Sequence, residues 1–81
     1  MTWEEYHIEF MKSLENESDL ELVHHFNKST GIRAFGVARS AYLSALRKQF
    51  EIRGFDFSMI GDDFGWSFKR KIRLYKGKLI P

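Results

Sequence analysis

The first thirty residues place apolar and polar side chains with the period of an α-helix. Thr2 and Glu5 have the spacing of a capping box, in which a hydroxyl and a carboxylate each accept a hydrogen bond from a free amide at a helix start. The apolar residues that follow share one arc, which predicts a helix over about residues 3–15. The same start signal recurs at Ser18 and predicts a second helix over about residues 19–29.

A third helix is predicted over about residues 36–53, with Gly54 as its left-handed stop. Apolar residues cover more than half of its circumference, which is typical of a central helix packed on two sides. Arg39 falls inside this apolar arc, so we expect it to pair with an acid from the first two helices. A stripe of small side chains would let a neighbouring helix approach closely. It consists of Ala34, Ala38, Ala41 and Ala45.

In the last part of the chain the period changes from 3.6 to 2. This alternation predicts a strand over about residues 66–75, a tight turn at Lys76 and Gly77, and a short returning strand over about residues 78–80. Residues 54–65 are predicted to form a connector between the third helix and the hairpin. Four apolar side chains of this connector are expected to cover the core. These four are Phe55, Phe57, Met59 and Ile60. The chain as a whole, residues 1–81, is predicted to be one small α+β domain in which an antiparallel hairpin packs on a three-helix body.

Composition excludes several classes of protein. The chain has 81 residues and no cysteine, so it can form neither a disulfide framework nor a thiolate metal site. It has no run of about 20 apolar residues, and its acidic beginning is unlike a signal peptide, so we expect a cytoplasmic protein that does not insert into a membrane. The net charge of +2 conceals an asymmetry: residues 1–32 carry seven acids and two bases, whereas residues 33–81 carry eleven bases and four acids.

Part of this positive charge is predicted to lie on one side of the hairpin, called here the basic face. Alternate strand residues project to the same side at intervals of about 7 Å, comparable with the distance between phosphates along a nucleic-acid strand. One interpretation is therefore contact with nucleic acid or another polyanion; the other is a solvated surface that discourages edge-to-edge aggregation. The cations predicted for this contact are Lys69, Lys71, Arg73, Lys78 and, at the tip, Lys76, accompanied by one aromatic residue, Tyr75.

Protein association is the competing hypothesis, and the pattern favours it slightly. An unpaired hairpin edge can add a strand from a partner or from a second copy of the chain. Two strands alone are marginally stable, so either the helices support them or a homodimer completes a larger sheet. The apolar residues predicted to form such an association surface are Phe57, Phe64, Trp66 and Leu79.

No catalytic, cofactor or metal site is predicted. His24 and His25 are adjacent on a helix and point about 100° apart, which suits an ordinary surface pair of His25 with Glu21 better than a compact metal site. No serine lies in a nucleophile motif. A helix-turn-helix over residues 19–53 is disfavoured, because the link between the two predicted helices is longer, and the second helix is longer and more apolar, than is usual for that motif. The sequence therefore predicts a non-enzymatic binding protein, associating through its hairpin or, alternatively, binding nucleic acid.

Overall fold

In the part of the chain that the structure describes, three helices and a two-stranded antiparallel sheet form the α+β architecture that the sequence predicts. The computed structural model describes residues 1–29, 36–61 and 71–81. The helices agree with the predicted bounds to within a residue. The first strand begins at residue 73, so residues 71 and 72, which were predicted to belong to it, precede it, and its predicted part over residues 66–70 lies outside the described residues. The elements are α1 (Trp3–Glu15), α2 (Asp19–Ser29), α3 (Val37–Ile52), β1 (Arg73–Tyr75) and β2 (Lys78–Ile80). None of the helices in the described part is long and apolar enough to cross a membrane.

Both predicted helix starts carry their capping boxes. The Glu5 N–H donates to the Thr2 hydroxyl at 3.2 Å, and the Thr2 N–H donates to the Glu5 carboxylate at 3.0 Å. Ser18 and Glu21 exchange the same pair of bonds at 3.1 Å each. The main-chain N–H of Thr2 holds the pKa of Glu5 below its ordinary value, because a carboxylate that accepts such a bond is favoured in its charged form. The helix starts are therefore fixed by interactions local in sequence.

Helices α1 and α3 run parallel and form the most extensive helix contact of the described part. The Trp3 indole donates to the Ser40 hydroxyl at 3.1 Å near the helix beginnings, and the Gln49 amide lies 3.5 Å from the Met11 carbonyl oxygen farther along. From the predicted small-residue stripe, Ala41 and Ala45 are fully buried and Ala38 is half-buried, while Ala34 lies outside the described residues. Their size allows close packing of α3 against its neighbours.

Replacing Ala41 by leucine is expected to lower the free energy of unfolding by about 2 kcal/mol, because three added carbons must displace a packed surface. Urea denaturation followed by circular dichroism measures the loss. Val37→Leu, which enlarges an exposed side chain of the same helix, is the control and should stay within about 0.5 kcal/mol of the wild type. A neutral Ala41→Leu would show that this side of α3 is not closely packed.

The core lies between the helices and the inner side of the hairpin, and two predictions about its members are wrong. Leu79, predicted for the association surface, has no exposed area, because β2 turns this side chain inward. Met59, predicted to cover the core, is 54% exposed, since the turn in which the Ile60 and Gly61 amides donate to the Phe57 carbonyl buries Ile60 instead. The largest fully buried side chains are Phe26, Phe50, Leu22, Leu46 and Leu79.

Arg39 of α3 and Arg53, the residue that caps the end of α3, contact α2 at opposite ends. Arg39 donates to the carbonyl of Ser29, the last residue of α2, at 3.3 Å. Arg53 forms an ion pair with α2, since its guanidinium lies 2.7 Å from the Asp19 carboxylate. Each cation therefore binds a group at an end of α2, and the contact described for Arg39 is to a helix carbonyl where the sequence predicted an acid.

Candidate functional site

The hairpin has the register and the turn that the sequence predicts. Tyr75 is opposite Lys78 and Leu74 is opposite Leu79. Lys76 and Gly77 form the two-residue turn with φ values of 50° and 76°. Both values are positive, as the turn that matches the twist of paired strands requires, and glycine adopts this conformation without steric cost. The turn therefore fixes which side chains of the two strands share a side.

Alternation along the hairpin separates a core-facing side from the basic face. Ile72 and Leu79 are buried, and Leu74, which packs against the core, is half-buried. The described part of the basic face comprises Lys71, Arg73, Tyr75 and Lys76, all exposed, together with the half-buried Lys78. Lys69 lies outside the described residues. The structure thus brings four of the five predicted cations together on the outward side and the tip of the hairpin.

Tyr75 and the turn lysine are in contact with each other. The Lys76 ammonium nitrogen lies 5.4 Å from the centroid of the Tyr75 ring, a distance at which a cation is attracted by an aromatic face. The Tyr75 side chain is nevertheless 61% exposed. Arg73 donates to the Pro81 carbonyl at 3.4 Å, so its guanidinium reaches across the end of β2. The basic face therefore combines cations with one accessible aromatic ring.

The outer edge of β2 is covered by the connector. The Asp56 N–H donates to the Gly77 carbonyl at 2.9 Å, and the Leu79 N–H donates to the Asp56 carbonyl at 2.8 Å, so that Asp56 pairs with β2 in parallel. The Asp56 carboxylate accepts a bond from the Ser58 N–H at 2.9 Å, which holds its pKa below the ordinary value, and the charge of Lys78 lowers the pKa further. One residue thus places an ionised acid beside the hairpin and occupies its edge.

The chain preceding β1 is fastened to α2 by one asparagine. The Ile72 N–H donates to the Asn27 side-chain oxygen at 2.7 Å, and the Asn27 side-chain nitrogen donates to the Ile72 carbonyl at 3.0 Å. The side-chain amide thereby satisfies both main-chain groups as a neighbouring strand would. Asn27 and Asp56, which are distant in sequence, therefore occupy part of the two hairpin edges that the sequence predicted to be unpaired.

The remaining residues of the predicted association surface provide little evidence for it. Phe57 is half-buried and packs against the core. Phe64 and Trp66 lie outside the described residues. Together with the burial of Leu79, this leaves no described residue of the predicted set as a fully exposed apolar side chain.

The histidine and acid side chains at the beginning of α2 form a different arrangement from the predicted one. His25 Nε2 lies 3.4 Å from the Glu17 carboxylate, whereas the prediction paired it with Glu21. A hydrogen bond with Glu17 is the main cause of the lowered pKa of Glu21, followed by its bonds to Ser18. Within residues 1–29, 36–61 and 71–81, no group of three or more histidine or acidic side chains is placed to hold a metal ion.

Comparisons with models of protein families, with curated proteins and with solved structures gave no match to this chain. Functional inference consequently depends on the geometry of the basic face and of the elements that support it.

Proposed function

We propose that this protein is a non-enzymatic binding module whose basic face contacts the phosphates of a nucleic acid or a similar polyanion. The observation that carries the proposal is the clustering of four cations on the outward side of the hairpin, within a stretch, residues 71–81, that contains no acid. Lysine and arginine side chains bind phosphates without reading base sequence, and they release counterions when they do so. A cytoplasmic location, where nucleic acids are accessible, belongs to this proposal.

The way the hairpin is held supports the same function. Buried Ile72 and Leu79 anchor its inner side, Asn27 ties it to α2, and Asp56 pairs with β2. The main chain beneath the cations is therefore fixed, while their side chains remain accessible. Binding at such a surface requires ordering of side chains only, which reduces the entropic cost of association.

Association through the hairpin edge remains a second proposal, supported by one observation. The register directs the N–H and C=O groups of Leu74 away from β2, and no partner for them is found among the described residues. A strand from a partner, or from a second copy in a homodimer, could pair there. The Asn27 side chain already bonds with the N–H and C=O groups of Ile72, which lie on the same edge. A partner strand must therefore displace the Asn27 side chain before it can bond with more than one residue of this edge. We favour polyanion binding for this reason.

The Lys71→Glu/Arg73→Glu double variant is expected to lose polyanion binding. Wild-type affinity for mixed-sequence duplex DNA, measured by fluorescence anisotropy, should fall about 100-fold between about 50 and 200 mM salt if four phosphates are contacted. The double variant should bind at least about 10-fold more weakly at the lower salt concentration. Its free energy of unfolding should change little, because both side chains are exposed.

Lys12→Glu/Lys48→Glu is the matched control, since it makes the same change of charge at exposed positions of α1 and α3. It should retain more affinity than the hairpin variant. Absence of binding at low salt, binding that ignores salt, or equal losses in the two double variants would each refute the basic face as the site. Light scattering at high concentration tests the second proposal, which requires a mass near twice 9.6 kDa for a homodimer.

A further inference from the structure

The basic face contains an aromatic side chain that the fold does not use. Tyr75 is the only aromatic residue classed as exposed among those the structure describes, and every other described tryptophan, tyrosine or phenylalanine is at least half-buried. The inner side of the hairpin is formed by Ile72, Leu74 and Leu79 without it. An accessible ring of this kind is available to a ligand.

The position of this ring relates it to the cations. Lys71, Arg73 and Tyr75 are alternate residues on one side, so a ligand strand that lies along the two cations meets the ring at the next interval of about 7 Å. The Lys76 ammonium lies over one face of the ring, 5.4 Å from its centroid, which leaves the opposite face for stacking. A nucleotide whose base stacks on Tyr75 would therefore have a cation nearby for its phosphate.

We infer that the ligand is single-stranded nucleic acid and that Tyr75 stacks on one of its bases. This inference rests on the proposed polyanion function and specifies its ligand. A duplex keeps its base faces covered by neighbouring base pairs, so it could offer Tyr75 only sugars and phosphates unless a base pair opened. Unpaired bases expose their faces, and stacking on an aromatic side chain strengthens binding of any base.

Two substitutions at one position separate the ring from the other properties of Tyr75. Tyr75→Thr removes the ring and retains a side chain that favours strands, whereas Tyr75→Phe keeps the ring and removes the hydroxyl. The probes are an oligothymidylate of about 16 nucleotides, a duplex of the same length, and inorganic polyphosphate as a polyanion without bases. Anisotropy gives the affinities for the nucleic acids, and competition gives that for polyphosphate. Urea denaturation verifies that both variants are folded.

Wild type is expected to bind the oligothymidylate more tightly than the duplex and polyphosphate. Tyr75→Thr should weaken oligothymidylate binding about 5- to 100-fold and leave duplex binding and the salt dependence unchanged, while Tyr75→Phe should bind like wild type. A neutral Tyr75→Thr, or equal wild-type affinity for the three probes, would overturn the stacking inference and leave polyanion binding intact. No binding to any probe would refute the proposed function itself.

Discussion

Replacing Arg53 by alanine is expected to lower the free energy of unfolding by about 3 kcal/mol, one of the two largest effects predicted for this protein. The guanidinium of Arg53, which is mostly buried, donates to the carbonyls of Glu17 at 2.6 Å, Leu14 at 3.3 Å and Glu15 at 3.4 Å, and to the Asp19 carboxylate at 2.7 Å. The last carbonyls of α1 have no partners within the helix, and a cation near them also interacts favourably with the helix dipole. The side chain of the residue that caps α3 therefore fastens the junction between α1 and α2.

Urea denaturation of two further variants identifies which contact contributes most. Asp19→Asn removes only the charge of a half-exposed carboxylate and should cost at most about 1 kcal/mol. Arg53→Lys keeps the charge and loses the planar fork that reaches several oxygens at once, so it should lose most of what alanine loses. If Asp19→Asn were as damaging as Arg53→Ala, the ion pair rather than the carbonyl contacts would hold the junction.

The expected loss is large relative to the total. A chain of 81 residues has a stability of about 4 to 12 kcal/mol at the usual 0.05 to 0.15 kcal/mol per residue. A loss of about 3 kcal/mol would lower the melting temperature by at least about 10 °C in a domain of this size. Thermal unfolding followed by circular dichroism therefore provides a second, independent measurement of the Arg53 contribution.

Local interactions explain why the elements could be predicted from the sequence. The capping boxes at Thr2 and Ser18 each involve residues three apart, and the Lys76-Gly77 turn fixes its own backbone geometry. The period of the apolar residues then determines which side of each element is buried. Consequently the bounds of the helices, the strand register and the outward position of the described cations follow from short stretches of sequence.

Partners distant in sequence could not be predicted in the same way. The Asn27 amide bonds with Ile72, 45 residues away, and the pairing of Asp56 with β2 depends on where the connector passes. Both residues are polar and common at surfaces, so their types alone do not identify a main-chain partner. The inward position of Leu79 could not be predicted for a different reason. Alternation places Leu79 on the same side of the hairpin as Leu74. Only the packing of the hairpin on the helices shows that this side faces the core.

These distant contacts also determine whether the candidate site can work. The cations lie along one side of a two-stranded sheet, and an isolated pair of short strands is marginally stable in water. Burial of Leu79 and the bonds of Asn27 and Asp56 join this sheet to the helical body. The basic face is therefore a property of the whole fold, and a change that detaches the hairpin should weaken ligand binding even when every cation is retained.

Replacing Asn27 by leucine is expected to produce this detachment, with a loss of about 3 kcal/mol in the free energy of unfolding. Leucine is similar in size but cannot bond with the Ile72 N–H and C=O, and each part-buried group left without a partner costs about 1 to 3 kcal/mol. Amide hydrogen exchange gives a local measurement: the Ile72 N–H, protected in wild type by its 2.7 Å bond, should exchange faster relative to the α3 amides.

His24→Leu is the control, since it introduces the same side chain at an exposed position of α2 and should change stability by less than about 0.5 kcal/mol. If Asn27→Leu left both the stability and the exchange of the Ile72 amide unchanged, Asn27 would not attach the hairpin to α2. The Asn27→Leu variant retains all cations, so its polyanion affinity tests whether the site needs a fixed hairpin in addition to positive charge. A loss of affinity is expected if the hairpin must be fixed. Unchanged affinity would show that the positive charge alone is sufficient.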